Sequence, residues 1–286
     1  GFRLNKLEDL YYAIMHNLFL KHKPEHKVSF EDIFDIWVEN LQNAPHSDRK
    51  RFEVNTVCQE LSKYNMNFAR AFLIFMRGRI QRNQEMIHVS SAWLTGERNI
   101  PYELKQKYDL VGAVDKTNTL DFLKAFTKLI TLLDYKGLIV FIDEIDLVLN
   151  DRTDLRQTAY NNLKHLIDLS TSGEMHQILF VFSGASDIVN HTEKGLITNT
   201  ALAQRLNLSH TNNLDASVIR LKPIETKDLL TLTQNILRLY RQNSILPNTL
   251  DYKTAYDAVS KQLTEANGVI RTYITALIGY LDTLSQ

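Results

Sequence analysis

Residues 137–150 read GLIVFIDEIDLVLN, in which a buried-looking stretch runs directly into three carboxylates. The five apolar residues from Leu138 to Ile142 are too few for a free-standing helix, and their branched and aromatic side chains predict a β-strand. In open parallel sheets, ligands bind beyond the carboxyl ends of the strands, so a buried strand can end in exposed charges. We therefore expect Asp143 and Glu144 to lie at such an edge.

A second short apolar run, ILFVFSG, occupies residues 178–184, and a helical pattern covers 154–170 between the two runs. Two apolar strands separated by one helix predict a strand-helix-strand crossover in a parallel sheet that is covered on both faces. We interpret this region as the core of an α/β domain. Residues 218 to 221 predict one further strand.

Helical periodicity dominates the rest of the chain. Ser29 and Asp32 form a capping-box-like start to one of these helices. The pattern predicts an α/β domain over residues 1–222 and a small all-helical domain over 223–286. The predicted helices cover residues 7–22, 29–43, 52–83, 119–137, 226–242, 251–264 and 268–284.

Composition limits the classes of function. The chain has 286 residues, with 33 Lys plus Arg and 33 Asp plus Glu, so no global field attracts nucleic acid or a membrane. Cys58 is the only cysteine, which excludes an internal disulfide and a cysteine-based zinc site and fits a reducing compartment. No window of eighteen apolar residues and no signal peptide is present, so we expect a soluble, cytoplasmic protein without membrane contact.

Because the net charge is zero, any DNA binding would have to come from local basic patches. Residues 46–51, HSDRKR, form one patch, and a helix over residues 69–83 brings four arginines near one another: Arg70, Arg77, Arg79 and Arg82. Such a helix could contact phosphates, and it could equally be a solvated face.

The residues after the two strands have the chemistry of a phosphate-cleaving site. An aspartate such as Asp143 can hold a hydrated Mg²⁺, and an adjacent glutamate such as Glu144 can orient or deprotonate water, the pattern called Walker B. Asp146 is more simply a solvated or helix-capping carboxylate. Ser183 ends the second strand, where related ATPases place a polar sensor near the terminal phosphate. It could instead satisfy a backbone group at the turn with Gly184.

The order of these elements resembles the ATP-binding domain family of BREX phage-defence systems, P-loop ATPases related to the AAA+ and STAND groups. The resemblance implies a P-loop NTPase-like parallel sheet flanked by helices, followed by a small helical lid. It also implies the cofactors ATP and Mg²⁺, defence-system partner proteins, and DNA or a second copy as further partners. It rests on DYKGLIVFIDEIDLVLNDRTDLRQTAYNNLKHLID (134–168), ILFVFSGASDIV (178–189), EKGLITNTALAQRL (193–206) and VIRLKPIETKDLLTLTQNILRLY (218–240).

The resemblance implies a role for each matching position. Asp143 would be the Mg²⁺-associated aspartate, Glu144 the catalytic base and Ser183 the sensor. Arg205 would direct its guanidinium at phosphate, within the chain or across a subunit boundary, and Arg271 would be a second sensor on the lid. Both arginines could alternatively form surface or interdomain ion pairs.

The sequence departs from the family in one respect: it contains no Gly-x-x-x-x-Gly-Lys followed by Ser or Thr. Either the P-loop was removed upstream of Gly1 or this protein has lost it. We therefore expect these 286 residues to bind ATP weakly or not at all, although the parent would be an ATPase. A sheet without its P-loop strand should also expose an edge and favour association.

Three other functions stay open beside the ATPase. The chain could be a non-hydrolysing regulatory or scaffold domain that kept the fold. It could also be a DNA-loading ATPase of the origin-recognition or transposition-helper kind. The third is a metal-dependent nuclease built on Asp143, Glu144 and Asp146, which would need further ligands.

Overall fold

The computed structural model describes residues 2–43, 53–208, 218–222, 224–243, 246–247, 250–260 and 270–285. The chain divides into two compact units, the first ending at Val218 and the second beginning at Ile219. The first unit contains both strands and helices, so the α/β prediction holds at this level. No helix in the described ranges is long and apolar enough to cross a membrane.

The first half of unit 1 is mainly helical and contains one antiparallel hairpin. The Ser29–Asp32 capping box is confirmed, since Ser29 Oγ accepts from the Asp32 N–H at 3.1 Å and Asp32 Oδ2 accepts from the Ser29 N–H at 2.7 Å. The elements are α1 (Glu8–Met15), β1 (Leu18–Leu20), β2 (Lys23–Val28), α2 (Phe30–Asn43), α3 (Val54–Ser62), α4 (Met66–Gln81), α5 (Gln84–Leu94), α6 (Tyr102–Lys107) and α7 (Thr119–Leu132).

The predicted helix over residues 7–22 is wrong in its second half. The helix ends at Met15, and β1 pairs with β2 in antiparallel register, with Leu18 opposite Val28. Leu18 and Leu20 are buried and the residue between them is exposed. A helix and a strand both place Leu18 inside, so helical periodicity alone did not distinguish them.

The second half of unit 1 contains the predicted crossover. Strand β3 (Leu138–Ile142) leads through a 3₁₀ segment (Ile145–Asn150) into α8 (Thr153–Thr171), which returns the chain to β4 (Ile178–Phe182). The two strands are parallel, with Leu138 opposite Ile178 and Ile142 opposite Phe182. The short helices α9 (Asp187–Asn190) and α10 (Thr200–Arg205) follow, and a 3₁₀ turn (Leu196–Thr198) lies between them.

One face of this parallel sheet is covered and the other is bare, which corrects the prediction of two covered faces. Val140, Ile142 and Ile178 belong to the main core, together with side chains of α7 and α8. The opposite face consists of two cross-strand pairs, which we call the bare sheet face. Its members, with their exposed fractions, are Ile139 (57%), Phe141 (74%), Leu179 (53%) and Val181 (36%).

The strand predicted over residues 218 to 221 is also absent. These residues form neither helix nor strand, and the side chains of Ile219 and Leu221 are 69% and 91% exposed. Within the described ranges β3 and β4 pair only with each other, so this segment has no ladder to join.

Unit 2 is helical in its described part. It consists of α11 (Thr226–Asn243), α12 (Tyr252–Ser260) and α13 (Ile270–Leu284) around a small core of its own. Three parts of the predicted helical domain lie outside the described residues. They are its first residue, Pro223, and the predicted helical residues 261–264 and 268–269. Tyr273, Leu277 and Leu281 place one stripe of α13 in that core, as a helical period requires.

Candidate functional site

The parallel register brings Asp143 and Ser183 to the same edge of the sheet. The residues before them, Ile142 and Phe182, form the last pair of the ladder. The backbone pairing continues beyond it, since the Ser183 N–H donates to the Ile142 carbonyl at 3.0 Å. The Ser183 hydroxyl then donates to Oδ1 of Asp143 at 2.6 Å. The structure therefore joins two of the residues that the sequence selected.

The Asp143 carboxylate is held in its ionised form by two donors. Its Oδ1 accepts from the Ser183 hydroxyl and from the Glu144 backbone N–H at 2.8 Å. These hydrogen bonds, that of Ser183 first, lower the pKa of Asp143. Oδ2 accepts no hydrogen bond from any described residue, and the side chain is exposed. Both hydrogen bonds are thus accepted by Oδ1, which leaves Oδ2 without a donor among the described residues.

Glu144 has a left-handed backbone conformation, with φ 57° and ψ 38°. Only glycine, and less often asparagine or aspartate, adopts this region without cost, so a glutamate here carries backbone strain. The left-handed residue directly precedes the 3₁₀ segment, and the Glu144 side chain is exposed. Strained backbone of this kind concentrates at functional sites.

Asp146 has a structural role that the sequence did not reveal. Its Oδ1 accepts from the Ala185 backbone N–H at 2.8 Å, so it ties the segment after β3 to the segment after β4. A Cβ added to Gly184 would lie 2.9 Å from that same oxygen. Asp146 is therefore neither a free surface carboxylate nor a helix cap, and it requires the glycine beside Ser183.

Arg156 anchors the loop that follows these carboxylates. Its guanidinium is buried and donates to the Asp151 carbonyl at 2.7 Å and to the Thr153 hydroxyl at 3.2 Å. The loop after the 3₁₀ segment is thus fixed to the start of α8.

Within one chain, the structure does not bring Arg205 to the edge of the sheet where Asp143 and Ser183 lie. Its Nε lies 2.8 Å from Oδ1 of Asp168. Asp168 stands near the end of α8, about 22 Å beyond the first residue of that helix. Because α8 runs back toward the amino ends of the strands, this ion pair lies far from the carboxyl edge. Arg271 is exposed at the start of α13 in unit 2.

Two of the four arginines in the predicted basic helix are engaged in ion pairs, and two are exposed. Arg70 forms an ion pair with Asp109, and Arg79 pairs with Asp35. Arg77 and Arg82 are exposed, and residues 46–51 lie outside the described residues. Of the arginines in and directly after α4, Arg77 and Arg82 therefore keep exposed positive charge.

The donor set fits a hydrated Mg²⁺ that is also bound by phosphates. Mg²⁺ keeps several waters and takes one or two carboxylates, and here Asp143 and Glu144 are adjacent and exposed. The described residues contain no group of three or more His, Cys, Asp or Glu side chains that could hold a metal ion by themselves. The nuclease hypothesis requires such a group.

Comparison with known proteins identifies the family of the chain. Over residues 2–286 the sequence matches a family described as BREX system ATP-binding protein BrxC/D. No curated protein and no solved structure matches the chain. The family match covers the strands, Asp143 and Glu144 after β3, and the C-terminal helices. It confirms the resemblance drawn from the sequence. The chain therefore belongs to the BREX system ATP-binding protein BrxC/D family.

Proposed function

We propose that this chain is the nucleotide-responsive module of an AAA+-like ATPase in BREX-type anti-phage defence, acting in the cytoplasm. In this proposal Mg²⁺-ATP binding and hydrolysis drive a conformational change that is passed to other defence proteins. The observation that carries it is the hydrogen bond of 2.6 Å between Ser183 and Asp143, with Glu144 next in the chain. Family membership supports the ATP-binding part of the proposal.

Each residue at the edge has a separate role in this proposal. Asp143 would hold a hydrated Mg²⁺, and in the chain without nucleotide its Oδ1 accepts hydrogen bonds from Ser183 and from the Glu144 N–H. Glu144 orients the attacking water or accepts its proton. Ser183 is the sensor. Its hydroxyl donates to Asp143 in the chain without nucleotide, and it could donate instead to a phosphate oxygen of bound ATP. Mg²⁺ would supply charge neutralisation at the phosphates.

The proposed site has no phosphate cradle in the printed sequence, because the P-loop pattern is missing. We therefore expect these 286 residues alone to bind ATP weakly. Turnover should require a chain that also carries a phosphate-binding loop.

The two arginines belong to the assembled protein in our proposal. Arg205 pairs with Asp168 in the single chain, so we propose that it reaches phosphate only across a boundary between two copies. Arg271 would act as the second sensor of a lid formed by residues 223–286, after an ATPase-like domain of residues 1–222. Such roles imply a homo-oligomer.

The test is Mg²⁺-ATP binding by calorimetry and turnover by phosphate release. Three proteins are compared. They are the 286-residue chain, a longer chain that also carries a phosphate-binding loop, and the longer chain with Glu144→Gln. We expect turnover only in the longer form, and Glu144→Gln should keep binding while it loses hydrolysis by at least about 100-fold. Glu193→Gln, at an exposed glutamate, is the matched control and should hydrolyse normally.

A non-hydrolysing scaffold is the second candidate, and the bare sheet face favours it. Phe141 and Ile139 are 74% and 57% exposed, and contiguous apolar surface of this kind marks interaction sites. An inert longer form that still binds its defence partners would establish the scaffold and refute the ATPase.

A further inference from the structure

The antiparallel hairpin of β1 and β2, residues 18–28, is a concentrated basic surface in a chain with no net charge. We call it the basic hairpin. Its sequence, LFLKHKPEHKV, contains three lysines and two histidines, and Glu25 is its only acidic residue. The basic helix indicated by the sequence lay elsewhere, in residues 69–83.

One side of the basic hairpin is anchored in the core. Leu18 and Leu20 are 7% and 8% exposed, and Val28 packs against the main core cluster. The other side faces solvent, because all residues of β2 before Val28 are exposed. Phe19 is 47% exposed and lies opposite Lys27 in the ladder. The hairpin is therefore anchored in the core on one side and presents its charges to solvent on the other.

The lysine charges of the hairpin have no acidic partner among the described residues. Lys21 and Lys23 form no ion pair with any residue in the described ranges. The ammonium of Lys27 donates to Oδ1 of Asn17 at 2.6 Å, and a neutral amide leaves its charge uncompensated. In α4, by comparison, Arg70 and Arg79 each have a carboxylate partner, and Arg77 is exposed.

We propose that the basic hairpin binds the phosphodiester backbone of duplex DNA. A two-stranded ribbon fits the major groove of B-DNA, and lysines on an exposed strand can then contact phosphates on its walls. Phe19 beside Lys27 offers an apolar surface to the sugars. The contact needs no base recognition, so binding should be independent of sequence and strongly dependent on salt.

The test measures the binding of the full chain to a fluorescent 20-base-pair DNA duplex by anisotropy over a range of KCl concentrations. We expect Lys21→Gln with Lys23→Gln to weaken binding at about 50 mM salt by about tenfold or more, and to lower the salt slope by about two. Lys21→Arg with Lys23→Arg should bind like the wild type. The matched control is Lys116→Gln with Lys136→Gln, two exposed lysines outside the hairpin.

Two further probes separate the alternatives. An RNA duplex of equal length should bind more weakly, because the A-form major groove is too narrow for a β-ribbon. Anionic phospholipid vesicles test whether the surface binds a membrane instead. Circular dichroism and melting temperature show whether each variant is folded.

Three results would overturn the proposal. The first is DNA binding by the Lys21→Gln, Lys23→Gln variant at the wild-type affinity and salt slope. The second is an equal loss of DNA affinity in the control variant, Lys116→Gln with Lys136→Gln. The third is binding of the protein to anionic vesicles when no binding to DNA is detected at low salt. The readout is independent of nucleotide, so it stands or falls separately from the proposed ATPase activity.

Discussion

The hydroxyl of Ser183 lies 2.6 Å from Oδ1 of Asp143 and donates a hydrogen bond to it. This bond links the ends of two parallel strands whose residues are far apart in the sequence. It orients the carboxylate that we propose for Mg²⁺, and it leaves the second oxygen exposed. The sheet register places the pair, because each residue directly follows the last paired position of its strand.

Ser183→Ala should raise the pKa of Asp143 toward its ordinary value of 3.8, because the largest cause of the lowered pKa is removed. A group with a lowered folded pKa contributes stability above its unfolded pKa and loses it as the pH falls through the folded value. The stability difference between variant and wild type should therefore shrink below about pH 4. A carboxyl carbon NMR titration of Asp143 measures the shift. Ser186→Ala should leave it unchanged, and an unchanged pKa in Ser183→Ala would contradict the hydrogen bond.

Gly184→Ala should destabilise unit 1 by about 1–3 kcal/mol, because its Cβ would lie 2.9 Å from Oδ1 of Asp146. Gly279→Ala is the matched control in α13, where an added Cβ meets nothing within 4 Å. An alanine in a helix should stabilise unit 2 by about 0.5–1 kcal/mol. Urea denaturation measures both changes. Equal effects at the two glycines would show that the Asp146 contact does not constrain the turn.

Glu144→Gly should stabilise the protein by about 1 kcal/mol, since glycine adopts the left-handed conformation without strain. Glu144→Gln keeps the strain and should leave stability within about 0.5 kcal/mol of the wild type. Gln177 is another left-handed residue, with φ 62°, and it lies away from Asp143 and Glu144. Gln177→Gly is therefore the control for the effect of removing backbone strain alone. Thermal melts compare the three variants. A loss of stability in Glu144→Gly would mean that the glutamate side chain makes a stabilising contact.

Phe141→Thr should reduce self-association while costing little stability, because this ring is 74% exposed on the bare sheet face. Threonine keeps a high strand propensity. Val140→Thr is the control on the covered face, where a buried hydroxyl should cost about 1–3 kcal/mol. Light scattering at increasing concentration measures association. Wild-type protein that stays monomeric at high concentration would refute the expected association through this sheet.

The Cys58 thiol should react slowly with thiol reagents at neutral pH. Burial raises its pKa from 9.0 to about 11, although the Arg77 cation partly opposes this shift. The thiolate fraction at pH 8 should thus be roughly 100-fold smaller than for an ordinary thiol. The reaction rate with Ellman's reagent should rise with pH until about pH 11. Ser172→Cys adds an exposed thiol as a fast internal control. A rate for Cys58 that levels off below pH 9 would contradict the raised pKa.

Local sequence was sufficient for the elements that carry the site. The runs 138–142 and 178–182 are strands, and residues 153–171 form the helix between them, because strand propensity and helical period are properties of neighbouring residues. The position of Asp143 and Ser183 after these runs then followed from the rule that parallel strands end at a common edge. The Ser29–Asp32 cap was visible for the same reason, since its two residues are three positions apart.

Local sequence patterns were thus sufficient to predict the crossover, the position of Asp143 and Glu144 after β3, and the family of this chain. Tertiary structure alone decided that Leu18–Leu20 pairs with β2 and that Phe141 faces solvent. It also decided that Arg205 pairs with Asp168. These outcomes depend on which distant segments meet, and a single sequence window has no information about partners far along the chain.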